Sequence, residues 1–173
     1  AGIDSPRMEA EVLLAGALSL SREEIYCRLD RILSEGEKSI SRNLLDRRVR
    51  REPVAYILGY KEFWSLDFKT TPNVLIPRPE TEEFLQRILD EIEITPRRFL
   101  DLGVGSGAIV LGLARAFPNA EAFGVDQSKD CLCLAEENAK RNGLQERVRF
   151  FHSDWFEEVN GQFDLIVSNP PYL

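Results

Sequence analysis

At 173 residues with a formal charge of −7, the chain has the length of one ordinary domain plus an appendage and enough apolar content for a core. No apolar run approaches the ~20 residues that cross a bilayer, and Ala1-Gly2-Ile3-Asp4 does not open a basic-then-apolar signal sequence, so a cytoplasmic protein with no membrane partner is expected. The charge divides as −3 over residues 1–97 and −4 over 98–173, and this acidity argues against a nucleic acid as main partner, because such binding draws on phosphate neutralisation.

Ser5-Pro6 supplies an N-cap and a first-turn proline, and Ala10, Leu13, Leu14 and Ala17 follow at the spacing of an amphipathic helix. Ser21 with Glu24 makes a capping-box pattern ahead of Ile25 and Leu29, which predicts a short second helix. A third is predicted from about Ser41 to Arg51, with Leu44, Leu45 and Val49 on one side, ending at Glu52-Pro53. None of the three would persist alone in water, so residues 1–60 read as a small helical bundle. Arg47, Arg48, Arg50 and Arg51 form the candidate basic patch, which reads either as a local nucleic-acid-binding patch or as the solvated face of a helix.

Val54 to Gly59 closes a turn, and the aromatic-rich run from Glu62 to Lys69 reads as a short β-hairpin within a connector over 61–78. Pro79 opens a helix whose first turn carries Glu80, Glu82 and Glu83, favourable at the positive end of the dipole. Phe84, Leu85, Ile88, Leu89 and Ile92 are its predicted buried stripe. From Pro96, strands and helices alternate: strand 98–102, helix 108–117, strand 122–125, helix 129–142 stopped by Gly143, strand 148–151 and strand 163–167. The fold class predicted for residues 79–173 is therefore α/β, a Rossmann-like parallel sheet. The three cysteines support neither a disulfide framework nor a zinc site, since Cys27 stands far from Cys131 and Cys133, whose C-x-C spacing on a helix points the thiols apart.

Between the first of these strands and its helix lies Asp101-Leu102-Gly103-Val104-Gly105-Ser106-Gly107. Glycines there let backbone approach a ligand at the carboxyl edge of the sheet. The spacing is G-x-G-x-G, not the G-x-G-x-x-G that seats a pyrophosphate, so a nucleoside without a diphosphate fits it better. Asp126, at the end of the second strand, can accept hydrogen bonds from both ribose hydroxyls. After the third strand, Ser153-Asp154-Trp155-Phe156 offers aromatic faces either to an adenine or to the core. The single His152, with no second histidine or carboxylate pair beside it, reads as structural.

The sequence ends Ser168-Asn169-Pro170-Pro171-Tyr172-Leu173. Two prolines end a strand and stiffen the backbone. The Asn169 side-chain oxygen, the Pro170 carbonyl and the flat, hydroxylated Tyr172 can together grip a planar NH₂ group, although alone the stretch also suits an ordinary Asn-Pro turn.

With the glycine loop, Asp126 and Asn169-Pro170-Pro171-Tyr172 in hand, the chain resembles class I S-adenosylmethionine-dependent methyltransferases. It is most similar to the HemK/PrmC family, which methylates a glutamine side-chain amide in peptide-chain release factors. Glu52-Pro53-Val54-Ala55-Tyr56-Ile57-Leu58-Gly59, Glu62-Phe63-Trp64 and Leu75-Ile76-Pro77-Arg78-Pro79-Glu80-Thr81-Glu82 carry the same resemblance. It implies that Gly103, Val104, Gly105, Ser106 and Gly107 wrap the methionine part of S-adenosyl-L-methionine, that Asp126 holds the ribose, and that Trp155 lies beside the adenine. Asn169 would touch cofactor and substrate, Pro170, Pro171 and Tyr172 would hold the substrate amide, and the bundle would help recognise the release factor, the enzyme being a monomer. Val104 departs from a common Thr, at a position that works through its backbone.

Two rivals follow from the same residues: an enzyme acting on an exocyclic amino group of DNA or RNA, against which the acidity counts, and a cofactor-binding protein without catalysis. The strand 163–167 would be left as an apolar edge, so the chain reads as a fragment lacking C-terminal strands, whose activity would be reduced.

Overall fold

A computed structural model describes residues 3, 5–28 and 30–170. They fall into two compact units, Ala1–Gly59 and Tyr60–Leu173.

The first unit contains helices α1 (Pro6–Leu18), α2 (Arg22–Tyr26), α3 (Glu35–Val49) and α4 (Val54–Leu58). Pro6 opens α1 as expected, but Ser5 makes no side-chain cap bond. The capping box of α2 is formed, with the Ser21 hydroxyl accepting from the Glu24 amide and the Glu24 carboxylate accepting from the Ser21 amide. Helix α3 starts six residues before the predicted Ser41, because a second capping box, Ser34 with Glu37, precedes it. Its predicted apolar side is also wrong: Leu45 and Val49 are 39% and 75% exposed, and the residue it buries is Ser41, whose hydroxyl returns to the Glu37 carbonyl at 2.7 Å. The basic patch is in part an internal brace. Arg47 reaches the Glu52 carboxylate at 2.8 Å and the Ile57 carbonyl at 3.2 Å, and Arg48 holds Glu9 at 2.5 and 3.2 Å. The expected turn at 54–59 is a helical turn, α4, closed by Gly59 at φ 78°.

The second unit opens with a hairpin, β1 (Tyr60–Phe63) and β2 (Leu66–Lys69), joined by Trp64-Ser65 with φ of 53° and 54°. That is the left-handed turn geometry that matches the twist of paired strands, normally entrusted to Asn or Gly. Here outside partners hold it: the Trp64 amide donates to Glu82 at 2.9 Å, and the Ser65 carbonyl accepts from Arg115 at 3.0 Å. Helix α5 (Pro79–Glu91) follows; of its predicted stripe Leu85 is fully buried and Phe84 is 38% exposed.

Strands β3 (Arg98–Leu102), β4 (Glu121–Asp126), β5 (Val148–His152) and β6 (Leu165–Ser168) form a parallel sheet in the order β5-β4-β3-β6, with α6 (Ala108–Ala116) and α7 (Lys129–Arg141) between strands. Alternate strand residues serve two clusters. Phe99 and Ala122 join Val110, Leu111, Leu113, Ala135 and Ala139 of the helices, while Leu100, Leu102, Phe123 and Val125 pack with Phe151, Val159 and Phe163. Phe63, Leu66 and Phe68 belong to the first cluster, so the hairpin read as a connector is part of this unit's core. The chain winds outward from β3 through β4 to β5, then returns to place β6 on the other side of β3. Such a reversal leaves a crevice at the carboxyl ends of the two central strands, where open α/β sheets bind ligands.

Candidate functional site

The carboxyl end of β3 runs into Gly103, Gly105 and Gly107, with φ of 76°, 53° and 87°. All three lie in the left-handed region, which side chains rarely adopt, so the glycine pattern is a backbone requirement. The Gly103 and Val104 amides both donate to the Val125 carbonyl at 2.9 Å, and the Gly107 amide donates to Val104 at 2.8 Å. A Cβ on Gly103 would meet nothing within 4 Å, so this side of the backbone is open to an approaching ligand. Val104 itself is buried.

Asp126 ends β4, one strand over. One carboxylate oxygen accepts from the Gly105 amide at 3.0 Å and the other from the Ser128 amide at 2.9 Å. Each oxygen has a second acceptor direction, so Asp126 braces the loop and still offers lone pairs to a hydroxylated ligand.

Asp101 was missed as a site residue. It is 1% exposed, its Oδ2 accepts from the Val110 amide at 3.1 Å, and Oδ1 has no partner among the described residues. Gly107 is the N-cap of α6 and brings no side chain; Asp101 gives the third helical residue the acceptor that Ser or Asp would supply at a cap. Burial pushes its carboxyl up from 3.8 to about 7, opposed by the Val110 N–H and assisted by the charge of Asp126. An acid in the apolar run Phe99-Leu100-Asp101-Leu102 was the visible signal.

Beside Asp126 the sheet register places His152, whose Nε2 lies 3.0 Å from the Gln127 carbonyl, a backbone tie. In the loop that follows, the Ser153 hydroxyl donates to the Trp155 carbonyl at 2.9 Å and accepts from the Glu158 amide at 3.1 Å. This holds Trp155 at φ 48° with its side chain 56% exposed, alongside an exposed Phe156. Neither ring is in the core.

On the other side of β3, Leu102 pairs with Ser168, and the Ser168 hydroxyl donates to the Leu102 carbonyl at 2.8 Å. This cross-strand tie sets Asn169 and Pro170, both exposed, level with the start of the glycine loop. Pro171 and Tyr172 lie outside the described residues. The fold thus gathers Gly103 to Gly107, Asp126, Trp155 and Asn169 along one sheet edge.

The arrangement suits a nucleoside: backbone open at glycines, the acceptor Asp126 and an exposed aromatic face. Among the described residues no cluster of His, Cys, Asp or Glu is arranged to hold a metal ion, and no helix is long and apolar enough to cross a membrane.

Comparison with known proteins points the same way. Residues 79–173 match the methyltransferase small domain family and residues 1–59 the PrmC N-terminal domain. A protein of Aliivibrio fischeri named release factor glutamine methyltransferase is 43% identical over 174 residues, covering 99% of this chain and 61% of that protein. One of the same name from Geobacter sulfurreducens is 45% identical over 173 residues, covering 99% and 60%. The chain therefore spans about 60% of the length of these curated relatives. Among solved structures, the human methyltransferase 10 domain containing protein superposes with a TM-score of 0.52 at 19% identity, over 64% of this chain and 56% of that one, which shows a shared fold.

Proposed function

We infer the activity from family membership: the chain belongs to the methyltransferase small domain family and carries a PrmC N-terminal domain. The reading is that the protein transfers a methyl group from S-adenosyl-L-methionine to the side-chain amide nitrogen of a glutamine in a peptide-chain release factor, working as a monomer in the cytoplasm. Residues 1–60 take part in recognising the release factor, and residues 79–173 hold the cofactor. The observation that supports the reading is the Ser168 to Leu102 tie, since an Asn169 that follows it directly could grip an amide beside a glycine loop braced by Asp126.

S-adenosyl-L-methionine supplies a methyl made electrophilic by its sulfonium. Gly103, Val104, Gly105, Ser106 and Gly107 would hold its methionine part, Asp126 would accept from the ribose hydroxyls, and Trp155 would lie beside the adenine. A glutamine nitrogen is a weak nucleophile because its lone pair is delocalised into the carbonyl. The work of the protein is therefore orientation: the Asn169 side-chain oxygen and the Pro170 carbonyl each accept one N–H, which aims the nitrogen and stabilises positive charge growing on it. Pro171 and Tyr172 are, by the resemblance, the remaining residues that would hold the substrate amide.

Tritiated-methyl transfer separates the substrates: label is expected in a release factor and not in DNA, RNA or a ribosomal protein. Asn169→Ala is expected to lower turnover about 10²-fold or more while changing cofactor affinity far less. Near-normal turnover in that variant would remove Asn169 from the mechanism.

A further inference from the structure

Asparagine is seldom buried outright unless its amide is saturated, and Asn138 on α7 is 0% exposed. Its Oδ1 accepts from the Lys69 amide at 2.7 Å, and its Nδ2 donates to the Lys69 carbonyl at 3.3 Å. One turn later Asn142 does the same to Asp67, accepting from the amide at 3.0 Å and donating to the carbonyl at 2.8 Å. Two strand residues advance ~6.6 Å and four helical residues ~6 Å. A pair of asparagines at i, i+4 therefore reads alternate residues of the β2 edge much as a neighbouring strand would, and pairs backbone groups on the side of β2 that no strand covers.

The two asparagines differ in where their second N–H goes: Asn142 Nδ2 returns to the Asn138 carbonyl of its own helix at 2.8 Å. Asn138 Nδ2 also donates to the Ser106 carbonyl at 2.9 Å, inside the glycine loop. The other end of that same peptide, the Gly107 amide, donates to Val104 at 2.8 Å. With its carbonyl and its N–H held on opposite sides, the Ser106–Gly107 peptide cannot rotate without breaking a buried bond. Both N–H groups of Asn138 are committed, so no rotation of the side chain keeps the hairpin and the loop bonded by any other arrangement.

We propose that Asn138 is a positioning residue of the cofactor loop, fixing the Ser106–Gly107 peptide in the orientation that receives the methyl donor and tying that orientation to the β1-β2 hairpin. This rests on the loop being the cofactor site. The hairpin in turn is held at its tip by Glu82 and Arg115, so the loop is referenced to α5 and α6 as well as to α7.

Asn142→Ala is the internal control, since it removes the same kind of hairpin-edge pairing, together with a bond to the Asn138 carbonyl within α7, and leaves the Ser106 carbonyl partnered. In the full chain, calorimetry with S-adenosylhomocysteine is expected to show affinity about tenfold weaker in Asn138→Ala and changed less than about threefold in Asn142→Ala. In the ligand-free protein, hydrogen exchange at the Gly107 amide should accelerate in Asn138→Ala only, a readout independent of binding. If Asn138→Ala does not fold, Asn138→Ser takes its place, its hydroxyl one bond too short to span to Ser106. Equal affinities and equal Gly107 protection in the two variants, in a wild type that binds, would overturn this proposal alone; a wild type that does not bind S-adenosylhomocysteine would overturn it together with the cofactor reading.

Discussion

At the scale of single residues, Asp101 makes the sharpest statement. Its carboxyl is pushed up to about 7 by burial, so the folded chain keeps a proton that the unfolded chain releases near the ordinary carboxylate range. Between about pH 4 and 7 unfolding then releases a proton, and stability falls as the pH rises through that window. The loss attributable to this one group is about 4 kcal/mol at most. Carboxylates held low by partners, such as Asp164 on the Arg98 and Arg97 amides or Glu52 on Arg47, act in the opposite sense and only at lower pH. In urea titrations at about pH 4.5 and 7.5, the wild type is expected to lose stability relative to Asp101→Asn; a difference between the two proteins that does not change with pH would show that Asp101 is ionised throughout. The left-handed glycines of the loop and the place of Asp126 at the end of β4 were legible in the sequence because backbone conformation and strand ends leave local signals. Asn138 was not, because its partners lie 69 and 32 residues away and nothing local marks an asparagine in a helix as an edge cap.

At the scale of elements, the residues that start a helix are more informative than the stripe that buries it. Ser21-x-x-Glu24 and Ser34-x-x-Glu37 both form reciprocal capping boxes, yet only the first announces its helix in the sequence, because the first turn of α3, Glu35-Gly36-Glu37-Lys38, is charged and carries no apolar period. Ser5 has the right residue type and the right following proline, but makes no cap bond. Ser34→Ala is therefore expected to cost about 1 kcal/mol in thermal or urea unfolding, and Ser5→Ala only a few tenths. Equal costs would mean that residue type alone, not the formed box, sets the stability of these helix starts. The strands of the parallel sheet were found within a residue or two, since a buried strand flanked by glycine or proline has no competing reading. What the sequence could not show was strand order. It is the return of β6 beside β3 that turns a glycine loop and an Asn-Pro turn, 62 residues apart at Gly107 and Asn169, into neighbours on one edge.

At the scale of the whole molecule, the charge and the core divide differently from the family domains. Residues 1–59 hold ten basic and ten acidic residues, so the formal charge of −7 resides in residues 60–173, the part with the glycine loop. A polyanionic substrate would have to approach against that charge, whereas a protein side chain would not. The methyltransferase small domain match begins at residue 79, but the compact unit begins at Tyr60, and the difference is the hairpin. Phe63 and Phe68 are 1% and 0% exposed and meet edge-on with centroids 5.7 Å apart. Lys61, its ammonium held on the Pro77 carbonyl, is pushed below the ordinary lysine range by burial. Removing residues 1–78 would strip two aromatic side chains, worth about 3–5 kcal/mol each when truncated in a core, and leave the buried Asn138 amide without Lys69. That is comparable with the margin of about 5–15 kcal/mol by which domains of this size are stable. Removing only residues 1–59 leaves all of these contacts in place. A protein beginning at Tyr60 is thus expected to unfold cooperatively and, on the proposed reading, to bind S-adenosylhomocysteine, and one beginning at Pro79 to do neither; a cooperative thermal transition at the same midpoint in both would mean that the hairpin is a covering of the sheet and not part of what holds its glycine loop in shape.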